Sequence, residues 1–287
     1  MSAAPAAPFV LTLSCPDRLG IVAAVSQCLA TSAMNIVESH QFGDRDTGRF
    51  FMRVSFLPQG NDGLDAFDAR FSEVAKNFDM AWQTHELAAH PRVLIMVSAF
   101  DHCLVDLIYR TRTGSLKMNV VGVVSNHETG RAASEAAGLP YHHRPQDEAT
   151  RAENEAWIAD FVARENIELI ILARYMQILS SDLVAGLEGR IINIHHSFLP
   201  SFKGAVPYRR AHERGVKIIG ATTHFVTGDL DEGPIITQGV TDIRHDMGVE
   251  DLVDMGRDVE RRTLARAIRL YIERRIILNG NKTVIFG

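Results

Sequence analysis

Cysteine is scarce: Cys15, Cys28 and Cys103 are the only three in 287 residues, and none is spaced as CxxC. Neither a disulfide framework nor a thiolate zinc site is indicated, and a reducing, cytoplasmic setting is expected. Long apolar runs are missing as well. No stretch approaches 18 apolar residues, and MSAAPAAPFV has neither a basic segment nor a long apolar core, so no membrane span or secretion signal is expected. There is no excess of basic charge: the formal net charge is −5, which argues against a nucleic-acid partner. The arginines near the end, Arg257, Arg261, Arg262, Arg266 and Arg269, alternate with Asp254, Asp258 and Glu260. That is the pattern of a solvated or subunit-facing helix surface. Internal repeats are absent, and low complexity is confined to the first eight residues.

What is present is ordinary for a soluble globular enzyme, with 46% hydrophobic and 23% charged residues over a length that suits one large or two modest domains. Phe9 to Ser14 alternates as a strand, and the turn Cys15-Pro16-Asp17-Arg18-Leu19-Gly20 leads into an amphipathic stretch from Ile21 to Thr31. Strands at Asn35 to Phe42 and Phe50 to Phe56, a helix at Leu64 to Asn77 and a strand at Met80 to Leu87 complete a βαββαβ order, the ferredoxin-like arrangement. Periodicity lapses near Ala88-Ala89-His90-Pro91, dividing the chain into residues 1–88 and 89–287.

Beyond that linker the pattern alternates strand and helix. Arg92 to Ser98 is a continuous apolar run suited to a strand buried on both faces. Helices at 102–112, 130–137, 151–164 and 181–187 separate strands at 118–125, 168–173 and 190–194, and a long helix is expected over 249–275. The fold class is therefore α/β, a doubly wound, mostly parallel Rossmann-like domain behind a smaller ferredoxin-like one.

The candidate site lies between Arg190 and Gln238. Ile191, Ile192 and Ile194 read as a buried strand, with Asn193 and His195 on one face just before a loop carrying Pro200 and Gly204. Open α/β sheets bind ligands at such strand ends. A second strand, Gly220 to Val226, leads into Thr227-Gly228-Asp229-Leu230-Asp231-Glu232-Gly233-Pro234. An amide, an imidazole and a carboxylate meeting in one crevice can polarise a carbonyl, orient water and move a proton, which suggests acyl transfer or hydrolysis. Taken alone, His195 reads more readily as a structural histidine and Asp231 as a turn cap.

Asn193-Ile194-His195 with Ser197, Leu199 and Pro200, then His224-Phe225-Val226, then Leu230-Asp231-Glu232-Gly233-Pro234, resembles the folate-dependent formyltransferase family from Arg92 onward. The Pro16-Asp17-Arg18-Leu19-Gly20-Ile21 turn within its βαββαβ order resembles the ACT domain, a regulatory module that often binds amino acids. The resemblance implies that Asn193, His195 and Asp231 are the catalytic set. Asn193 and His195 would stabilise the tetrahedral intermediate, and Asp231 would position His195 and a water. It implies a folate site formed by Met176, Gln177, Ile178, Leu179 and Val184 with Thr227, Gly228, Asp229 and Leu230.

Family members that use ribonucleotides carry a glycine-rich phosphate cradle after the first strand of this domain. Here Ser98-Ala99-Phe100-Asp101-His102-Cys103-Leu104 stands in its place, so the chain is most similar to the branch that hydrolyses 10-formyltetrahydrofolate to tetrahydrofolate and formate. That branch implies a folate substrate with no separate cofactor, a link to one-carbon metabolism and purine biosynthesis, and methionine or glycine as effector at the ACT-like domain. A homo-oligomer is expected, because the small sheet leaves edges to cover.

An amine-accepting formyltransferase and a non-catalytic folate sensor stay open as alternatives. A metal site is not expected: His195, His196, His224 and Asp231 offer ligands, but neighbouring residues of an extended strand project to opposite faces, and no HxxEH pairing occurs. Cys103 beside His102 reads as a structural thiol rather than a nucleophile.

Overall fold

The computed structural model describes residues 8–60, 63–199 and 207–287, so Pro200 and Gly204 lie outside the described residues. The chain forms two compact units: residues up to Ala89 with Glu273–Asn279 and Val284–Gly287, and His90–Ile272 with Gly280–Thr283.

The first unit runs β1 (Phe9–Pro16), α1 (Ile21–Thr31), β2 (Met34–Asp44), β3 (Arg49–Pro58), α2 (Leu64–Asn77) and β4 (Ala81–Glu86). Its antiparallel sheet has the order β2-β3-β1-β4, consistent with an ACT-like arrangement. Leu11, Leu13, Val54 and Phe56 of the sheet pack against Val25 and Leu29 of α1 and Phe67 and Phe71 of α2. Strand β3 is buried on both faces, because the end of the chain returns to this unit: Phe51 packs with Val284 and Phe286. The fully buried Arg53 donates to Glu38 at 2.6 Å and to the Glu273 carbonyl at 3.0 and 3.2 Å. A buried guanidinium demands such partners, and residues far downstream supply them. The division at 88 and 89 read from the linker gave no sign of this return.

The second unit continues with β5 (Arg92–Val97), α3 (His102–Arg112), β6 (Asn119–Ser125), α4 (Arg131–Ala136), β7 (Tyr141–His143), α5 (Arg151–Arg164) and β8 (Leu169–Leu172). Then follow α6 (Ser181–Ala185), β9 (Ile191–His195), α7 (Pro207–Arg214), β10 (Ile218–Phe225), β11 (Ile235–Asp242) and α8 (Val249–Ile272), before β12 (Ile276–Asn279) and β13 (Lys282–Ile285) close the chain as a two-stranded piece.

The main sheet has the order β11-β10-β9-β8-β5-β6-β7. From β9 to β7 every neighbour is parallel, while β10 is antiparallel to both β9 and β11. Strands β5 and β8 are almost wholly buried, as their unbroken apolar runs require. The chain leaves β5 toward β6 on one side and returns to β8 on the other, so a crevice opens at the carboxyl ends of β5 and β8. Helix α8 stops at Ile272 rather than Arg275: Arg274 takes φ 54°, and Arg275 turns to pair with Glu38 at 3.2 Å.

Candidate active site

The crevice is a cavity of about 700 Å³, and the described residues that line it belong to the second unit. The ends of β8, β9 and β10 and the helices α3, α7 and α8 build it. Ser98, just past β5, donates to Asn126 Oδ1 at 2.7 Å and accepts from the Met176 amide at 3.0 Å, which ties the loop after β8 to the sheet. That loop enters the left-handed region at Arg174, φ 64°, and sends Met176, Gln177, Ile178 and Leu179 along the wall. Met176 and Ile178, with Leu230 across the mouth, are more than half exposed. Such an apolar rim fits a flat aromatic ligand. Val184 sits instead in the core beneath, clustered with Leu179, Leu183 and Tyr175, and does not line the cavity.

Asn193 and His195 come from the end of β9. Asp231 comes from the loop after β10, where its φ of 58° turns the carboxylate inward. The loop can close so tightly because residue 233 is glycine: a Cβ there would overlap the Phe225 carbonyl. His195 Nδ1 lies 3.3 Å from Asp231 Oδ2, and His224 Nε2 lies 3.6 Å from Asp231 Oδ1 and 3.2 Å from Asn193 Nδ2. The Nδ1 proton of His224 goes to the Phe225 carbonyl at 2.9 Å. Hydrogen bonds from His195 and His224 hold the Asp231 carboxyl well below the usual carboxylate range. Among the described residues the buried His195 Nε2 has no hydrogen-bond partner, and His195 is part of the cavity wall.

Thus Asn193, His195 and Asp231 converge, and Met176 through Leu179 and Thr227 through Leu230 surround them. His224 is the fourth member of the polar group. From the sequence it stands in the His224-Phe225-Val226 motif and among possible metal ligands but not in the catalytic set, because a residue in an apolar strand carries no mark of the face it presents.

The far side of the cavity carries a second polar cluster. Glu260 of α8, 1% exposed, sits 2.7 Å from His102 Nε2, accepts from the Tyr208 hydroxyl at 2.8 Å and lies 3.4 Å from Arg174 Nε. Burial alone would raise the Glu260 carboxyl, but His102, Arg174 and Tyr208 hold it below its ordinary value. His196 stands between the clusters, its ring stacked on His195 at 4.9 Å. Both histidines line the cavity, because β9 ends at His195 and the extended alternation that would separate them stops there. Burial first, then the charges of Arg174 and His195, push His196 down to about 4.

Among the described residues, His102, Cys103 and Glu260 are the group whose ligand atoms lie close enough, within 4.8 Å, to hold a metal ion. They fit one poorly: His102 and Glu260 are already bonded to each other, Arg174 is a cation beside them, and burial pushes the Cys103 thiol up. A nucleophilic role for Cys103 fails for the same reason.

The sequence family described as formyl transferase matches residues 91–268. A formyltetrahydrofolate deformylase of Corynebacterium sp. (strain P-1) is 50% identical over 277 residues, covering 96% of this chain and 97% of that protein. The crystal structure of formyltetrahydrofolate deformylase from Burkholderia mallei superposes with a TM-score of 0.94 at 50% identity, covering 98% of this chain and 100% of that one. Glycinamide ribonucleotide transformylase 1 from Symbiobacterium toebii superposes with a TM-score of 0.64 at 32% identity, covering 69% of this chain and 95% of that one.

Proposed function

This chain belongs to the formyltetrahydrofolate deformylases within the formyl transferase family, and we propose that it hydrolyses 10-formyltetrahydrofolate to tetrahydrofolate and formate through Asn193, His195 and Asp231. The observation that carries the residue assignment is the unpartnered His195 Nε2 in the cavity wall, with its Nδ1 backed by Asp231 and Asn193 two residues away on the same strand face. Water adds to the formyl carbon, and the oxyanion that forms is met by the Asn193 amide and by His195 Nε2–H. Asp231 keeps the imidazole oriented and compensates its charge as the proton moves from the attacking water toward N10. The C–N bond then breaks, leaving tetrahydrofolate and formate. The apolar rim of Met176, Ile178 and Leu230 supports a bound pterin edge, gripped by the backbone of Thr227 to Leu230.

Water is favoured over an amine acceptor because Ser98 to Asp101 provide no glycine cradle. In its place Phe100 reaches the cavity, with the Arg174 guanidinium 5.6 Å over its ring. The test is release of tetrahydrofolate and formate from 10-formyltetrahydrofolate with water as sole acceptor and a chelator present. Turnover that waits for an added amine would replace this reading with a transferase.

The amino-terminal unit is read as an ACT-like regulatory domain. Asp17 to Ala23 and Phe50 form a hollow at the start of α1, where helix N–H groups can hold an amino-acid carboxylate such as that of methionine or glycine. Exposed Ile36, Val37 and Phe42 on edge strand β2 support a homo-oligomer. No described helix is long and apolar enough to cross a membrane, and a cytoplasmic location accords with the three unpaired cysteines.

A further inference from the structure

The second polar cluster is used neither by the folate rim nor by the Asn193 group, and its construction costs stability. A carboxylate 1% exposed at Glu260 is expensive to bury. Gly256, one turn earlier in the 24-residue helix α8, gives up helix propensity. A Cβ at that position would overlap the Tyr208 hydroxyl, so the glycine admits Tyr208 to Glu260. Arg174 occupies a left-handed conformation, φ 64°, that is unfavourable for a non-glycine residue. Its side chain is 10% exposed, and among the described residues the buried Nε has no hydrogen-bond partner despite the nearby Glu260 carboxylate. Three donor-bearing side chains, Arg174, His102 and Tyr208, therefore line one end of the cavity around a single carboxylate. His196, which feels the charges of Arg174, His195, Glu260 and Asp231, links that end to the Asn193 group.

We propose that this cluster is a small-monocarboxylate subsite that receives the formate product, with Arg174 binding the anion, His102 and Tyr208 flanking it, and Glu260 limiting how tightly it is held. The assignment rests on the deformylase reading for the identity of the anion. A planar guanidinium only 10% exposed grips a carboxylate strongly, and a product held that way would leave slowly. Glu260 competes for the same guanidinium, so formate binds weakly enough to escape.

The experiment titrates [13C]formate into the full-length protein and follows its line width by NMR, alongside formate product inhibition of turnover. Saturable broadening is expected in the wild type. Arg174→Asn, which tolerates the left-handed backbone, should weaken formate binding by about tenfold, the worth of one charge-assisted hydrogen bond, with the folate KM within about threefold. Arg174→Lys keeps the charge without the fork and should fall between them, so the proposal stays testable if Arg174→Asn does not fold. Glu260→Gln retains an acceptor for Tyr208 and removes the competing charge, and it should tighten formate binding and deepen product inhibition. No saturable broadening in the wild type, unchanged formate affinity in both Arg174 variants, or weaker binding in Glu260→Gln would each overturn the subsite. Formate binding in a protein with no hydrolytic turnover would overturn the deformylase reading and leave the anion site standing, whereas turnover without formate binding would do the reverse.

Discussion

Replacing Asp231 by Asn is the perturbation whose size the geometry sets most directly. The carboxylate is 16% exposed and faces two imidazoles, at 3.3 Å from His195 and 3.6 Å from His224. Asn keeps the shape and one acceptor and removes the charge. Two unit charges about 3.5 Å apart interact by roughly 5 kcal/mol at an effective dielectric of 20, an upper limit for what an imidazolium at His195 would lose. The retained neutral hydrogen bond recovers about 1–2 kcal/mol, leaving a deficit near 3 kcal/mol. That corresponds to a fall in kcat of about 10². Folate KM should move less than about threefold, because Asp231 faces the histidines. Formate formed in quenched single-turnover reactions measures the chemical step without product exit. The same variant has a stability signature. Since the folded carboxyl is held below its unfolded value near 3.9, its stabilisation is present above that pH and is lost as pH falls through the folded value. The Asp231→Asn protein should therefore be less stable at neutral pH and lose less on acidification to pH 3. A kcat within about threefold of wild type, in a correctly folded variant, would refute the assignment of Asp231 as the group that backs His195.

His195→Ala removes the imidazole itself and should lower kcat by roughly 10² or more with folate binding nearly kept; retained turnover would move the chemistry elsewhere. His196, buried neutral with a value of about 4 against 6.5 unfolded, takes up its proton more readily in the unfolded chain. Stability should therefore fall by on the order of 2–3 kcal/mol as pH drops from 6.5 to 4, and urea titrations of His196→Gln should show a flatter dependence across that window. Gly256→Ala gains about 1 kcal/mol of helix propensity but forces Tyr208 off Glu260. A net loss of about 1–3 kcal/mol in thermal unfolding is expected, and a stabilised variant would contradict the close packing.

Much of the architecture was written in local pattern. Helices α1, α2, α3 and α5 occupy the spans that their apolar spacing indicates, because an amphipathic period repeated over eleven residues or more leaves few alternatives. The unbroken apolar runs of β5 and β8 announced strands covered on both faces, and with them the parallel sheet. Strand β7 is three residues long, and β11 contains Thr237, Gln238 and Gly239. Neither shows a period, and both exist because a neighbouring strand offers its backbone groups. Helix α7, PYRRAHER, is polar almost throughout and packs through Tyr208 and Ala211 in a small cluster with Leu252.

The site divides along the same line. Asn193, His195 and the Asp231 loop were legible from the sequence because they sit in short motifs whose spacing is fixed along the chain. His224 and the His102, Arg174, Tyr208 and Glu260 cluster were not, since each lies on a different element, and only the order β10-β9-β8-β5 with α8 alongside brings them to one cavity. The return of residues 273–279 and 284–287 to the first unit is of the same kind: the need arises at a buried arginine in β3, and the answer comes from 220 residues later in the chain. Sequence determined the elements and the reactive motifs, which depend on neighbours in the chain; tertiary structure decided which polar groups meet, because that depends on neighbours in space.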